Sequence, residues 1–200
     1  MQDEEIARRI GNGDPRAFDA FFDRYAGPLL GYLRGMVRER AAAEDLLQET
    51  MLRVHRNIGR YRERGAFRAW VYRIATNLAR TELRRARCRG AAEDDLVLHI
   101  NDLPEPAADE RLERNETLNA VRAGIAALPD EQRAVVLLRV RRGMAIREIA
   151  RTLCIPEGTV KSRLHYAVRN LRNSLFDQDS LGSPKEASRH AMRRREERAV

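Results

Sequence analysis

The chain has 200 residues and a formal net charge of +8, from 38 Lys and Arg residues against 30 Asp and Glu residues. That length allows one domain or two small ones, and 34% charged with only 6% aromatic residues favours two small helical domains over one large core. The excess of positive charge favours a polyanionic partner such as a nucleic acid.

Cysteine usage and hydropathy exclude several further classes of protein. Cys88 and Cys154 are far apart and have no neighbouring His or Cys at metal-ligand spacing, so neither a disulfide framework nor a zinc site is expected. No apolar run approaches the roughly 20 residues that a membrane span needs, and the acidic N-terminus is unlike a secretory signal. These features together predict a protein of the reducing cytoplasm.

Apolar residues recur at helical spacing over most of the chain, and strand signals are nearly absent. In chain order, the first part of this pattern predicts helices over residues 6–10, 14–37, 41–58 and 67–87. Residues 91–110 interrupt it with seven acidic side chains, two prolines and no Lys or Arg. That composition predicts an extended, poorly ordered linker.

Helical spacing resumes at Leu112, breaks at Pro129 and continues to Val140, and two more helices are predicted between residues 145 and 171. After Phe176 the chain turns polar, which predicts either a disordered tail or a regulatory or nonspecific DNA-binding extension. We therefore predict an all-α fold of two small helical domains joined by an acidic flexible linker. The predicted boundaries are 1–90 for the first domain, 91–112 for the linker, 113–176 for the second domain and 177–200 for the tail.

The last two predicted helices have the pattern of a helix-turn-helix. One face of the first is apolar, and an apolar stripe begins at Val160 on the second. The side chains left to face outward near its start are Thr159, Lys161, Ser162 and Arg163. A short turn followed by a helix that begins with donors and cations is typical of a helix placed in the DNA major groove. The alternative is an ordinary helical hairpin with a solvated charged face.

Positive charge is concentrated in two segments that the acidic linker separates. Residues 60–90 carry ten Arg against two Glu, and residues 131–173 carry ten cations against three Glu. This arrangement predicts two separate nucleic-acid contacts, held apart by the linker. In the first segment the cations alternate with Tyr61, Phe67 and Trp70. Aromatic faces stack on unpaired bases at about 1–3 kcal/mol each, so melted DNA is the predicted ligand. The alternative is that these rings belong to a helix core.

Three segments resemble, in order and spacing, the bacterial RNA polymerase sigma factors of the sigma-70 family, extracytoplasmic-function (ECF) group. Residues 43–50 resemble the helix of sigma region 2 that binds the polymerase clamp. Residues 67–80 resemble the following stretch, which reads and melts the minus-10 promoter element. Residues 128–171 resemble region 4, which reads the minus-35 element. Nothing resembles the intermediate domain of larger sigma factors, which points to this small group.

The resemblance implies three sets of contact residues. The set for the polymerase clamp is Asp45, Gln48 and Glu49, on the helix side opposite an apolar stripe of Leu47, Met51 and Val54. The set for minus-10 DNA is Tyr61, Arg64, Phe67, Arg68, Trp70, Arg73, Asn77, Arg80 and Arg84, with Asn77 implied to hold a flipped base. The set for minus-35 DNA is Arg147, Gly158, Thr159, Lys161, Ser162, Arg163, His165 and Tyr166.

The resemblance also implies the partners. These are the beta-prime clamp and beta subunits of core RNA polymerase, promoter DNA and an anti-sigma factor, often membrane-bound, with no small-molecule substrate. Catalysis would belong to the polymerase, so the chain itself is not expected to be an enzyme. No cofactor or metal is expected, and the chain has no phosphate-binding loop for ATP. DNA melting would therefore draw on binding energy alone.

Five positions depart from the family's pattern. Cys154 stands at a turn position that is usually Gly, and Ala145 stands where a Ser or Thr N-cap is common, each at a predicted cost of about 1 kcal/mol. Cys154 is interpreted as a small buried apolar residue, and the alternative is a redox-active thiol. Tyr166 and Val168 stand where Arg is frequent, and Arg reads guanine bidentately, so an unusual minus-35 sequence is expected. His55 replaces a frequent aromatic residue and is interpreted as a packing residue.

Two other classes of function explain less of the chain. A stand-alone helix-turn-helix regulator explains residues 128–172, but neither the clamp-like helix nor the basic and aromatic segment. Such regulators usually bind paired half-sites as dimers. A nucleic-acid-processing enzyme would need clustered carboxylates or His ligands for a metal, whereas the four histidines are scattered along the chain.

Overall fold

The computed structural model describes residues 2–37, 39–62, 65–90 and 111–181. Within these ranges the chain forms eight α-helices, one 3₁₀ turn and one π-helical turn, and no strand, which confirms the all-α prediction. Three predicted features lie outside the described residues. They are Arg64 of the minus-10 set, the acidic residues 91–110 of the linker and residues 182–200 of the tail.

The first four helices pack together as one unit, which we call the N-terminal bundle. Its helices are α1 Asp3–Gly11, α2 Pro15–Val37, α3 Arg40–Asn57 and α4 Phe67–Gly90, with a 3₁₀ turn at Ile58–Arg60 after α3. Asp14 starts α2, because its Oδ1 accepts a 3.0 Å hydrogen bond from the backbone N–H of Arg16. The hydrogen bond from the Arg9 guanidinium is the largest cause that lowers the pKa of the Asp14 carboxyl. The charged, capping form of Asp14 is thereby favoured.

An aromatic core joins α2 to α4. The ring centroids of Phe21 and Phe67 lie 5.8 Å apart, and Tyr32 packs edge-on against Tyr72. The hydroxyls of Tyr32 and Thr76 share a hydrogen bond of 2.8 Å. Both hydroxyl groups belong to fully buried residues, where an unpaired polar atom costs about 1–3 kcal/mol. This bond therefore fixes how α4 sits on α2.

The last four helices form a second unit, which we call the C-terminal bundle. Its helices are α5 Arg111–Ala127, α6 Asp130–Val136, α7 Ile146–Leu153 and α8 Glu157–Leu181, and a π-helical turn at Leu137–Arg141 continues α6. Leu128, Val136 and Ala167 are buried between α6 and α8. Helix α8 continues to Leu181, five residues into the segment that was predicted to be a tail.

The two bundles pack directly against each other. Helix α4 contacts α7, and α2 contacts α6 and the π-helical turn. Buried apolar residues of both bundles belong to one continuous core, for example Met36 and Val71 with Leu137 and Ile149. The sequence predicted two DNA-binding units held apart by a linker, and the described part of the chain instead holds them together. The physical reason is that each bundle covers apolar surface of the other.

Candidate polymerase and nucleic-acid interfaces

The residues predicted to bind the polymerase clamp lie together on the outer side of α3. Asp45 and Gln48 are exposed, and Glu49 is half-buried. Glu49 accepts a hydrogen bond of 2.6 Å from Nε of Arg53, so its carboxylate is held along the helix surface. The opposite side of α3 faces the core, as its apolar stripe predicted. A carboxylate, an amide and a second carboxylate therefore form one accessible acidic strip.

Leu52 adds an apolar side chain to this strip. It is 47% exposed, and with Asp45, Gln48 and Glu49 it completes the i, i+3, i+4, i+7 spacing of one helix face. Leu52 was not predicted, because the sequence pattern assigns the apolar residues of α3 to the core. The same spacing counted from Asp45 identifies it. We call Asp45, Gln48, Glu49 and Leu52 the clamp face.

A cleft of about 320 Å³ opens between α3 and α4, and we call it the α3–α4 cleft. Its lining residues are Trp70, Ile74 and Asn77 from α4, and Arg53, Asn57 and Arg60 from α3 and the 3₁₀ turn. Trp70 and Asn77 belong to the predicted minus-10 set. The three polar residues of the other wall were not predicted as DNA contacts, although their i, i+4, i+7 spacing places them on one face.

The aromatic residues beside the cleft divide into core and surface. Phe67 is 1% exposed and packs against the rings of Phe21 and Tyr25, so the prediction that it stacks on a DNA base is wrong. Its position at the start of α4, facing α2, is the physical reason. Trp70 is half-buried and lies 5.2 Å from the ring of Tyr61, centroid to centroid. Trp70 thus packs on one side and lines the cleft on the other.

A carboxylate from α1 organises the loop that leads into α4. Oε1 of Glu4 accepts hydrogen bonds of 3.0 Å from the hydroxyl of Tyr61 and from the backbone N–H of Phe67. The Tyr61 hydroxyl in turn accepts a 3.2 Å bond from the backbone N–H of Ala66. Glu4 therefore supplies the capping acceptor that the start of a helix needs. The sequence offers no signal for this contact, because 63 residues separate Glu4 from Phe67.

The predicted minus-10 arginines of α4 have different surroundings. Nη2 of Arg68 donates to the backbone carbonyl of Arg142, and Nη2 of Arg73 donates to that of Arg151 at 2.7 Å. Both acceptors belong to the C-terminal bundle. Within the described part of the chain, two other members of the set make no such contact. Arg84 is exposed, and Arg80 is half-buried with Nε and Nη2 unpaired among the described residues.

The turn between α7 and α8 has the geometry of a helix-turn-helix with an unusual residue at its sharpest point. Cys154 has φ 54° and ψ 46°, the left-handed conformation, and is the only non-glycine residue with positive φ in the described ranges. The unfavourable backbone conformation that was predicted for a non-glycine residue at this turn is therefore observed. Cys154 is exposed, so its interpretation as a buried apolar residue is wrong. Ala145 precedes α7 and makes no side-chain capping bond.

Helix α8 presents most of the predicted minus-35 residues to solvent, and Arg147 of α7 is exposed as well. The exposed members on α8 are Gly158, Lys161, Ser162, His165 and Tyr166, whereas Thr159 and Arg163 are half-buried. Arg163 is turned toward the bundle by an ion pair with Glu131. Val160 and Ala167 are fully buried, which orients the helix. The exposed strip has the length and polarity of a major-groove recognition helix.

Comparison with known proteins identifies the family to which this chain belongs. The Sigma-70 region 2 model matches residues 21–89, and the Sigma-70 region 4 model matches residues 124–173. RNA polymerase sigma-H factor of Pseudomonas aeruginosa is 31% identical, over 83% of this chain and 90% of that protein. ECF RNA polymerase sigma factor SigM of Mycobacterium tuberculosis is 37% identical, over 80% of this chain and 78% of that protein. This chain is an ECF sigma factor of the sigma-70 family. The sigma factor directs RNA polymerase to promoters and acts in transcription initiation.

The two matches coincide with the two bundles. Region 2 falls within α2, α3 and α4, and region 4 extends from the end of α5 into α8. A stand-alone helix-turn-helix regulator does not account for region 2. Sigma factor RpoE of Bartonella quintana, solved in complex with the anti-sigma factor NepR, matches with a TM-score of 0.65. That match has 19% identity over 79% of this chain and 96% of the other, and it supports the fold alone.

Other kinds of site are not seen in the described part of the sigma factor. Its His, Cys, Asp and Glu residues form no group of three or more that could hold a metal ion. None of its described helices combines the length and apolarity needed to cross a membrane. His55 packs edge-on against Phe18 with ring centroids 5.2 Å apart, which confirms its interpretation as a packing residue.

Proposed function

We propose that this sigma factor binds an unpaired base of the minus-10 element in the α3–α4 cleft. The single observation that carries the proposal is the composition of that cleft, an aromatic face and two side-chain amides beside two cations. Trp70 offers its face for stacking, and the amide of Asn77 offers a donor and an acceptor for a base edge. Arg53 and Arg60 offer charge for the flanking phosphates.

The free energy that the contacts in the cleft supply is of the same size as the cost of flipping a base into it. Unpairing and flipping a base costs a few kcal/mol. One stacking contact returns about 1–3 kcal/mol, and the hydrogen bonds and phosphate contacts supply the remainder. The chain has no nucleotide-binding loop, so we infer that melting uses binding energy and that the catalysed reaction belongs to the polymerase. Besides Asn77, the α4 residues proposed to contact minus-10 DNA are Arg68, Trp70, Arg73, Arg80 and Arg84.

Binding of an unpaired minus-10 strand tests the cleft. Asn77→Ala removes both groups that read the base edge, and we expect it to weaken binding of a single-stranded minus-10 oligonucleotide by the sigma factor with core polymerase about tenfold or more. Asn173→Ala, at an exposed Asn of α8, is the matched control and should leave binding unchanged. Equal affinities for the Asn77→Ala and Asn173→Ala proteins would contradict the proposal.

The clamp face is proposed to bind the beta-prime clamp of the polymerase, and the beta subunit is proposed as a further partner. Asp45 and Glu49 supply charge for cations of the clamp, and Leu52 supplies an apolar centre that is shielded from water on binding. An exposed Leu surrounded by polar groups is the arrangement expected of an interface with an apolar core and a polar rim.

Helix α8 is proposed to read the minus-35 element through the exposed residues already described, from Gly158 to Tyr166, with Arg147 from α7. Tyr166 is 51% exposed and Val168 is 62% exposed. Neither side chain forms the bidentate contact by which Arg reads guanine. We therefore propose a minus-35 sequence that departs from the guanine contact expected of an Arg at these positions.

An anti-sigma factor, often membrane-bound in this family, is proposed as a further partner. The Bartonella quintana sigma factor was solved in complex with the anti-sigma factor NepR. The sigma factor itself is proposed to act in the cytoplasm, because core polymerase and promoter DNA are there.

A further inference from the structure

The aromatic wall of the α3–α4 cleft is supported by rings that do not line the cleft. Trp70 packs against the ring of Tyr61 at a centroid distance of 5.2 Å and against the ring of Phe67 at 5.9 Å. The two supporting rings also contact each other, with centroids 5.6 Å apart. All three distances are typical of favourable aromatic pairs. The position of Trp70 in the cleft therefore depends on where Tyr61 and Phe67 are held.

Both supporting residues are bound to one carboxylate oxygen. Oε1 of Glu4 accepts a hydrogen bond from the hydroxyl of Tyr61 and another from the backbone N–H of Phe67, each of 3.0 Å. The Tyr61 hydroxyl accepts a bond of 3.2 Å from the backbone N–H of Ala66, so its single proton is left to point at Glu4. The direction of every bond in this group is thereby fixed.

Helix α1 gives this carboxylate a firm base. Ile6 is 1% exposed and Ile10 is 5% exposed, and both belong to the same core as Phe67. Glu4 is half-buried on the helix that these residues hold in place. Helix α1 lies outside residues 21–89, which the Sigma-70 region 2 model matches. The support of the cleft therefore comes from a helix that the family match does not include.

We propose that Glu4 is a positioning residue for minus-10 recognition, which acts through Tyr61 and Phe67 to hold the ring of Trp70 ready to stack on an unpaired base. The inference rests on the proposed binding of such a base in the α3–α4 cleft. A ring that is held in place before binding loses less conformational freedom when a base stacks on it, so affinity rises without a further contact. In this arrangement Glu4 and Tyr61 both act through Trp70.

Fluorine NMR of Trp70 tests the positioning step. Trp70 is the only tryptophan of the chain, so labelling with 5-fluorotryptophan gives the full-length protein one fluorine signal. Glu4→Ala removes the shared acceptor, and we expect the signal to shift and broaden. Tyr61→Phe removes only the hydroxyl and should produce the same change at a smaller size. Glu4→Gln keeps an acceptor oxygen and should retain the wild-type signal, as should the matched control Glu5→Ala.

Binding of single-stranded DNA tests the consequence for recognition. Each variant is combined with core polymerase, and its affinity for a minus-10 oligonucleotide from a mapped promoter is measured by fluorescence anisotropy at one salt concentration. We expect Glu4→Ala to weaken binding about fivefold, the weak end of base–aromatic stacking, and Glu4→Gln to bind as the wild type does. Ile6→Val removes a buried methyl group from the same helix, so it lowers stability but should leave affinity unchanged. Circular dichroism checks that each variant folds.

The outcomes separate the positioning role from the function of the cleft. If Asn77→Ala weakens binding while Glu4→Ala and Tyr61→Phe keep the wild-type fluorine signal or affinity, the positioning role is overturned and the base site stands. Equal losses of affinity for Glu4→Ala, Glu4→Gln and Ile6→Val would show a purely structural role and would also overturn it. If Asn77→Ala binds the oligonucleotide as the wild type does, the proposed base site fails, and the role of Glu4 in recognition fails with it.

Discussion

Cys154 has a strained backbone conformation that a glycine would adopt without strain. Its φ of 54° lies in the left-handed region, which costs a residue with a Cβ atom about 1 kcal/mol. We expect Cys154→Gly to raise the free energy of unfolding by about 1 kcal/mol, partly offset by the greater freedom of Gly in the unfolded chain. Urea denaturation measures this as a higher midpoint at an unchanged slope.

Cys154→Ala is the matched control for that measurement. It removes the thiol but keeps the Cβ atom and therefore the strain, so its stability should equal that of the wild type. A Cys154→Gly protein no more stable than Cys154→Ala would show that the left-handed turn carries no such cost.

Residue type alone does not predict which aromatic side chains of the site are buried and which line the cleft. Tyr61, Phe67 and Trp70 have the same signal in the sequence, an aromatic residue among arginines. Packing separates them, because Phe67 faces α2 and is buried while Trp70 lies toward α3 and lines the cleft. Which face of α4 meets which neighbour is a tertiary property, so no count along the chain distinguishes the two roles.

At the scale of elements, the start of α4 depends on Glu4 of α1. Replacing Glu4 with Ala leaves the N–H of Phe67 and the hydroxyl of Tyr61 without their shared acceptor. We expect a loss of about 1–2 kcal/mol in the free energy of unfolding, the range of a lost helix cap. Hydrogen exchange at the Phe67 amide should also become faster than in the wild type.

Glu5→Ala provides the comparison for Glu4→Ala. Glu5 is the next residue of α1 and forms an ion pair with Arg8 on the exposed surface, and such pairs contribute little to stability. Exchange at Phe67 that responds equally to both substitutions would contradict the capping role of Glu4.

The helices themselves follow from local patterns, and the loops between them do not. Apolar spacing places α2, α3 and α4 within a few residues of their observed bounds, because each helix must bury one face. The capping of α4 by Glu4 joins residues that are far apart along the chain. The α3–α4 cleft is likewise not predicted by a local pattern, because its lining residues come from two helices and the turn between them.

On the scale of the whole molecule, Arg133 is the residue whose substitution is expected to lower the free energy of unfolding most. Arg133→Met keeps the volume but leaves the carbonyls of Met36, Ala126 and Leu128 unpaired in the interior. We expect it to lower the free energy of unfolding by about 3 kcal/mol. Trp70, the only tryptophan, reports unfolding of the N-terminal bundle by fluorescence.

Arg139→Met is the control, because Arg139 is exposed and donates to the carbonyl of Met144 within its own bundle. Its effect on the unfolding of the N-terminal bundle should be small. Equal stability of the two Met variants would show that Arg133 does not join the bundles.

The contact between the bundles was not predictable from the pattern of the sequence. Arg133 has the same appearance in the sequence as the exposed arginines of its basic segment, and Gly35 has the same appearance as Gly27. In the structure, a Cβ atom at Gly35 would lie 2.9 Å from the side chain of Leu137, whereas one at Gly27 would meet none of the described residues within 4 Å. The two members of each pair differ in the surface of the folded protein that lies against them, and the sequence pattern does not contain that information. The two family segments were predictable, because each carries its own apolar stripe and its own polar strip.

Transcription in vitro tests most directly that this chain specifies promoters. Sigma-free core polymerase, the purified protein and a fragmented genomic library are combined, and the starts of the transcripts are sequenced. We expect discrete starts that share a minus-10 and a minus-35 element at fixed spacing. The absence of such starts, together with failure of the protein to co-purify with core polymerase, would contradict the function assigned here.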